Sequence, residues 1–391
     1  MTSDRDDNSA LILATMATKS DEVRFLCDRL GEHGVAPTVI DVSLESGGRT
    51  LGAGDKTAAI ERASARVFDA VNDAMDRGVN AVVGLGGGTG AEIILRVLRA
   101  MPITFPKVLI TTLPFDPRFA LADNSITLVP TLADINGLNA TLREILENAA
   151  AMIGGLCRTR RKANACVLSP SIGITALGAT DRAVRPLVDA LRAQGEETTV
   201  FHANGFGGAA FMRFAERGAF SAMIDLTPHE LTRIMLAGVH VPMDARFTAA
   251  PQVPRIVLPG ALNFIGLGQK DLVPPDYLRR PHYEHSGFFT HVQLTEDEMA
   301  QVARGLAHAL NSCVGYRHVI VPMGGFSHHD RPGGDIEGPA LREVFLETIR
   351  READAGVTVT ALDAHLFDPA VTSAVLGSLE AATDMPKEAA Q

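Results

Sequence analysis

Between the apolar run Ala81–Leu85 and a helical-period stretch that begins at Ala91 stands Gly84-Leu-Gly86-Gly87-Gly88-Thr89-Gly90. Glycines at a strand-to-helix turn let the backbone pass close to an anion, and a helix N-terminus supplies free N–H groups and the positive end of its dipole. A phosphate or a carboxylate is the ligand that suits such a turn, although the same glycines also suit a tight turn that only lets the helix pack. The run lacks the Gly-Lys-Ser/Thr ending of a Walker loop, and it is not a first βα turn followed by a ribose-binding acid. Thr15, Thr18 and Lys19 follow the first apolar run, and Thr111-Thr112 end another. In an open α/β sheet ligands bind outside the carboxyl ends of the strands, so these hydroxyls and the ammonium are expected to converge with the glycine turn.

The second half carries three more polar strand ends: His202-Ala-Asn204-Gly205-Phe-Gly207-Gly208, Asp225-Leu-Thr227-Pro-His229-Glu230 and Pro259-Gly260-Ala-Leu-Asn263. Together they describe a cleft with groups for acid–base work: His202 or His285 as the acid–base, Asp225 or Glu230 as its orienter, and the Gly207-Gly208 helix start as an oxyanion donor. His282, His285, His291, His328, His329 and His365 could join Asp225 or Glu230 around a metal. Their spacing is not diagnostic, adjacent His328 and His329 would point apart on a strand, and no protein-ligated metal is expected.

Apolar runs of five or six residues alternate along the chain with 3.6-period stretches, the pattern of a parallel sheet with helices on both faces. The class is therefore α/β. Strands are predicted at Ala10–Thr15, Thr38–Val42, Ala81–Leu85, Val108–Thr112, Ile172–Leu177, Ala222–Asp225, Arg255–Leu258, His318–Pro322 and Thr358–Asp363. Helices are predicted from an N-cap at Ser20, at Lys56–Arg77, Ala91–Ala100, Asn139–Leu156, Arg182–Gln194, His229–Leu236, Thr295–Asn311 and Pro339–Arg351, with a last one from Pro369. Asp271–His291, rich in Pro, Arg, His and aromatics, has no clear period and reads as a long functional or interfacial loop.

Shifting the chain on itself by 161 residues lays Val23-Arg24 on Val184-Arg185, Leu26 on Leu187, Asp28 on Asp189, Leu30 on Leu191, Gly34 on Gly195 and Thr38-Val39 on Thr199-Val200. These eight identities, without a gap, indicate that the second half repeats the strand–helix–strand unit of the first. Two related domains follow, 1–165 and 166–391, with a boundary near the basic run Arg158-Thr-Arg-Arg-Lys162.

In the 391 residues, 36 Lys and Arg stand against 46 Asp and Glu, a net charge of −10. That balance disfavours a sequence-independent nucleic-acid binder. The polar N-terminus and the short apolar run after it predict neither a leader nor a membrane span, so a cytoplasmic protein is expected. Four scattered cysteines without a C-x-x-C pair read as small apolar residues.

Across these motifs the chain resembles the ATP-binding domain family of the plant tobamovirus-resistance protein. The resemblance rests on Thr18-Lys19, Gly86–Gly90, Asp134-Ile-Asn-Gly137-Leu-Asn139, Val200–Gly208, Asp225-Leu-Thr227 with Glu230, Pro259-Gly260, Pro332-Gly333-Gly334 and His365-x-x-Asp368-Pro369. It implies two Rossmann-like subdomains, a homodimer, and ATP with Mg²⁺ held by Thr15, Thr18, Lys19, Asp41 and Gly86–Gly90. Gly333 and Gly334 join the second-domain ligand residues by the same resemblance. The chain departs from the family pattern at Ala17, Ala91, Ser125, Asn263 and Gly324. Hydrolysis or bond cleavage on a small carbonyl or carboxylate substrate is the expected chemistry, with a non-catalytic nucleotide sensor or protein-interaction protein as the alternative.

Overall fold

The computed structural model describes residues 8–44, 52–160, 170–238 and 241–384. The chain divides into two compact units, residues 1–166 and 167–391. In the first, β1 (Asn8–Ala14) is buried on both faces, and its period of two feeds two cores. Ala10, Ile12 and Ala14 enter one with Val23, Leu26 and Leu30 of α1 (Met16–Glu32) and Leu142, Leu146 and Ile153 of α5 (Ala140–Arg160). Leu11 and Leu13 enter the other, with Ile60, Val67 and Val71 of α2 (Ala53–Asp76) and Ile93, Ile94 and Val97 of α3 (Gly88–Ala100). Each such Leu or Ile contributes about 1.5–3 kcal/mol, so the alternation locks the strand's facing. With β2 (Val35–Asp41), β3 (Ala81–Gly86), β4 (Lys107–Thr111), α4 (Pro117–Leu121) and β5 (Thr127–Pro130), a parallel sheet of order β2-β1-β3-β4-β5 results.

The second unit repeats the plan. It comprises β6 (Ser171–Ala176), α6 (Asp181–Ala193), β7 (Thr198–His202), α7 (Phe206–Glu216), β8 (Phe220–Asp225), α8 (Glu230–Leu236) and β9 (Arg255–Val257). After an insertion come α10 (Glu296–Asn311), β13 (Arg317–Pro322), α11 (Pro339–Glu352), β14 (Val357–Leu362) and α12 (Pro369–Thr383). The parallel sheet reads β14-β13-β9-β8-β6-β7. Read from its other edge, this is the order of the first sheet with one more strand. The insertion holds β10 (Phe264–Leu267), α9 (Pro275–Leu278), β11 (His282–Ser286) and β12 (Phe289–Gln293), which form an antiparallel sheet of order β10-β12-β11. Both units are Rossmann-like α/β layers.

Two expectations, on the segment 271–291 and on the start of the first helix, need correction. The segment Asp271–His291 is not a loop: it contains α9, β11 and most of β12, and a register shift between Glu284 and Ser286 hides its alternation. His328 and His329 follow β13 on a single 3₁₀ turn, His328–Asp330. Helix α1 begins at Met16 rather than after Ser20, with a kink at Lys19 (φ −129°, ψ 20°). The basic run ends α5 at Arg160; its residues 161–162, and Cys166, lie outside the described residues, as does the polar segment 1–7. Among the described residues no helix is long and apolar enough to cross a membrane.

Candidate functional site

In an open α/β sheet the ligand crevice opens where the strand order reverses, between β1 and β3 in the first unit. The structure brings Thr15, Thr112 and the Gly86–Gly90 turn to that point. Thr15 follows β1, and its Oγ1 lies 3.1 Å from where a Cβ on Gly90 would stand. Thr112 follows β4, with its Oγ1 3.5 Å from the Cβ position of Gly87. Gly86 turns so tightly that its Cβ would lie 3.1 Å from the Ala91 nitrogen. Gly88, by contrast, has no described residue within 4 Å of its Cβ position. Gly87, the N-cap of α3, has no side chain to satisfy the first N–H groups of the helix, those of Gly88, Thr89 and Gly90. Thr18 is exposed on the first turn of α1. Buried Thr111 turns inward, where its Oγ1 accepts from the Leu113 N–H at 3.3 Å.

Two predicted residues have partners of their own. The Lys19 ammonium donates to the Ile135 carbonyl, and buried Glu22 accepts from the Gly137 N–H at 2.7 Å. Lys19 and Glu22 thus clamp the turn Asp134–Asn139 onto α1. Glu22 escaped sequence reading because an acid early in a helix passes for ordinary dipole compensation. The Asp41 carboxylate accepts from the N–H groups of Met16 (3.0 Å) and Ser43 (2.9 Å) and from the Ser43 hydroxyl. Burial would raise its pKa, but these hydrogen bonds and Arg66 hold it below the ordinary range.

The second unit's switch point, between β6 and β8, is filled from within. Thr180 and Thr227 share a hydrogen bond of 2.7 Å, and the Thr227 N–H donates to Thr175 Oγ1 at 3.0 Å. Asp225 accepts from Thr175 (2.7 Å) and from two nitrogens of Arg246 (2.7 and 2.9 Å). Glu230 accepts from Arg246 Nε at 3.2 Å and from the Gly205 N–H at 3.0 Å. Arg246 is buried between the rings of Phe211 and Phe247, 4.8 and 4.6 Å from their centroids. Burial favours the uncharged carboxyls, yet the Arg246 fork holds the Asp225 pKa low; for Glu230 burial prevails and the pKa rises.

The helix start that was expected to donate to an oxyanion already holds a carboxylate. A Cβ on Gly208 would overlap Glu230, and one on Gly207 would overlap the His202 carbonyl. Asn204 Oδ1 accepts weakly from the Gly207 N–H at 3.4 Å. The imidazole of His202 stands exposed at the end of the edge strand, whereas both carboxylates face Arg246. Gly260 N–H donates to the Leu226 carbonyl at 3.2 Å, which draws Pro259-Gly260 against β8. Gly333 (φ +74°) and Gly334 shape the turn that carries His329: a Cβ on Gly334 would overlap the His329 carbonyl.

Beside this filled point the inserted sheet gathers imidazoles from distant segments. His291 of β12 stacks on Phe264 with centroids 4.2 Å apart and on His285 at 4.9 Å. His329 lies 5.9 Å from His291. Nitrogen atoms of His285, His291 and His329 all lie within 4.8 Å of one another. His229 completes the setting. Its Nδ1 donates to the Ala261 carbonyl at 2.7 Å, which fixes the tautomer, and its Nε2 lies 3.2 Å from the Cβ position of Gly266, the residue paired with His291. Burial lowers the pKa of His229 to about 4 and, with neighbouring imidazoles, that of His291 to about 3. A separate 580 Å³ cavity, lined by Leu191, Val314, Leu376 and Leu379 among others, lies at the starts of the strands and takes no part in either cluster.

Residues 8–162 match the model of the N-terminal domain, and residues 169–383 that of the C-terminal domain, of an uncharacterised protein family, UPF0261. A UPF0261 protein of Mesorhizobium japonicum is 32% identical over 398 residues, covering 95% of this chain and 98% of the relative. One from Rhizobium meliloti is 29% identical over 394 residues, covering 94% and 97%. The ToMV resistance protein Tm-1 of Solanum lycopersicum is 26% identical over 413 residues, covering 94% of this chain and 54% of the tomato protein.

Proposed function

The chain belongs to the UPF0261 family, and we propose that its N-terminal unit binds a small molecule through a phosphate or carboxylate seated on the Gly87–Gly90 turn. One observation carries the reading: the hydroxyl groups of Thr15 and Thr112 meet an uncapped helix start at the point where the strand order reverses. Hydroxyl donors, free backbone N–H groups and a helix dipole are the elements that bind such anions. No described residue lies within 4 Å of the Gly88 Cβ position, which leaves room for the ligand.

ATP is the ligand that the family resemblance implies. Asp41 is committed to Met16 and Ser43, so an accompanying Mg²⁺ would be carried mainly by the phosphates and water. Binding without turnover is favoured at the second unit's switch point, where Asp225 and Glu230 are both committed to Arg246.

The test is a thermal-shift series with ATP, ADP, inorganic phosphate and small carboxylates, each with and without Mg²⁺, on the wild type and on Gly88→Asp. A ligand at about 100 times its Kd adds roughly 2.7 kcal/mol and raises the wild-type Tm by several degrees. The substitution would set a carboxylate on the anion's seat while its charge favours the helix start by about 0.3–1 kcal/mol. The variant should keep its unliganded Tm and lose the shift. An undiminished shift in Gly88→Asp overturns the reading.

A further inference from the structure

We infer that His285, His291 and His329 form a binding site for one divalent transition-metal ion in the C-terminal unit, independent of the anion site. The three imidazoles come from β11, from β12 and from the turn after β13. They are separated by as many as 44 residues in sequence (329 − 285) yet hold nitrogen atoms within 4.8 Å of one another. A tetrahedral ion with bonds of about 2.0–2.1 Å needs nitrogens roughly 3.3 Å apart. His285 is exposed, so in the proposed site its side chain is the one free to turn toward the ion.

A buried polar atom within the trio is unpartnered: among the described residues His291 Nδ1 has no hydrogen-bond partner, and on the two neighbouring segments the same holds for Asn263 Oδ1 and Ser327 Oγ. Those segments meet here: the Leu294 N–H donates to the Asn263 carbonyl at 3.1 Å, the Ala261 N–H to the Phe326 carbonyl at 2.9 Å and Asn263 Nδ2 to the Ile336 carbonyl at 3.4 Å. A buried lone pair without a donor is costly unless something else satisfies it, and a cation does. Asp335 lies 3.9 Å from His329 Nδ1, where it can orient that ring from outside, as carboxylates do beside metal-binding histidines.

The coordination number points to chemistry rather than to a structural clip. Structural zinc sites are closed by four protein ligands, whereas three leave a position for water or substrate. Here His285 is exposed, so water or substrate would reach the ion from that side. Neutral imidazoles suit zinc, copper, iron or nickel, and calcium and magnesium are disfavoured by the absence of oxygen ligands in the trio.

Zinc and cobalt binding to the full-length chain tests the site. The chain is stripped with a chelator and titrated with Zn²⁺ by equilibrium dialysis with metal analysis; Co²⁺ is followed by its visible absorption. Wild type is expected to take up one Zn²⁺ per chain and to give the strong absorption of low-coordinate Co²⁺. His285→Ala, which removes an exposed ring and leaves the fold intact by circular dichroism, should weaken Zn²⁺ binding by more than about 100-fold, beyond the 10–100-fold lost with outer partners. His291→Ala should abolish it, and His328→Ala, adjacent to the trio but outside it, should bind as wild type. Absence of stoichiometric uptake by the wild type, or unchanged uptake by His285→Ala, overturns the proposal.

Discussion

His229 holds its proton on Nδ1 against the Ala261 carbonyl and is only 8% exposed. Its pKa of about 4, below the ordinary 6.5, follows first from burial, with Arg233 adding to the effect and the Ala261 bond opposing it. Between those two values the unfolded chain binds the proton and the folded chain does not, so stability is full above pH 6.5 and is lost as the pH falls toward 4. At 1.36 kcal/mol per unit, the loss from this residue between pH 7 and pH 5 is about 2 kcal/mol. Urea unfolding of the C-terminal unit at both pH values should show that loss in the wild type and a flatter response in His229→Gln. His291 keeps part of the slope in the same direction. Equal losses in the two proteins would exclude a buried neutral His229.

At the level of elements, glycines that look alike in sequence do different work. Gly34 and Gly195, equivalent in the duplication, have φ of +73° and +84° and both follow a helix that leads into an edge strand. A left-handed residue at that place is reached most cheaply by glycine, which is why the repeat keeps it. Gly88 and Gly208 both open helices, but the first has no described residue within 4 Å of its Cβ position and the other lies against the Glu230 carboxylate. Gly208→Ala should push Glu230 off the Gly205 N–H and the Arg246 fork, at about 1–3 kcal/mol as for other overpacked sites. Calorimetry should then show a Tm several degrees below wild type; an unchanged Tm would mean that Glu230 does not occupy the helix start. Helices and central strands were legible because their apolar period survives in isolation. The inserted sheet was not, because its outer strand is polar and aromatic and a bulge interrupts the alternation.

For the whole molecule, each unit carries its own cores on both faces of its own parallel sheet. Folding of the first therefore does not depend on burial supplied by the second. Residues 8–160 expressed alone are expected to unfold cooperatively and to keep the ligand shift of the full chain. Circular dichroism melts with and without the ligand check this, and a fragment that folds but does not respond would relocate the anion site. The two units share a strand order but not a site: the first leaves its switch point open, while the second fills it with Thr180–Thr227 and Asp225–Arg246–Glu230 and gathers histidines beside it.

By itself the sequence determined the α/β class, the repeated strand–helix–strand unit and the strand ends at which polar groups would collect, because periodicity and turn residues act over a few positions. Only the tertiary structure decided which of those groups meet. Lys19 finds Ile135 across 116 residues, Asp225 and Glu230 find Arg246 rather than His202, and His285 and His291 find His329. Spacing along the chain sets the face of an element on which a side chain stands. Its partner is set by how separate elements pack, through burial and through the requirement that each buried charge and polar atom be satisfied.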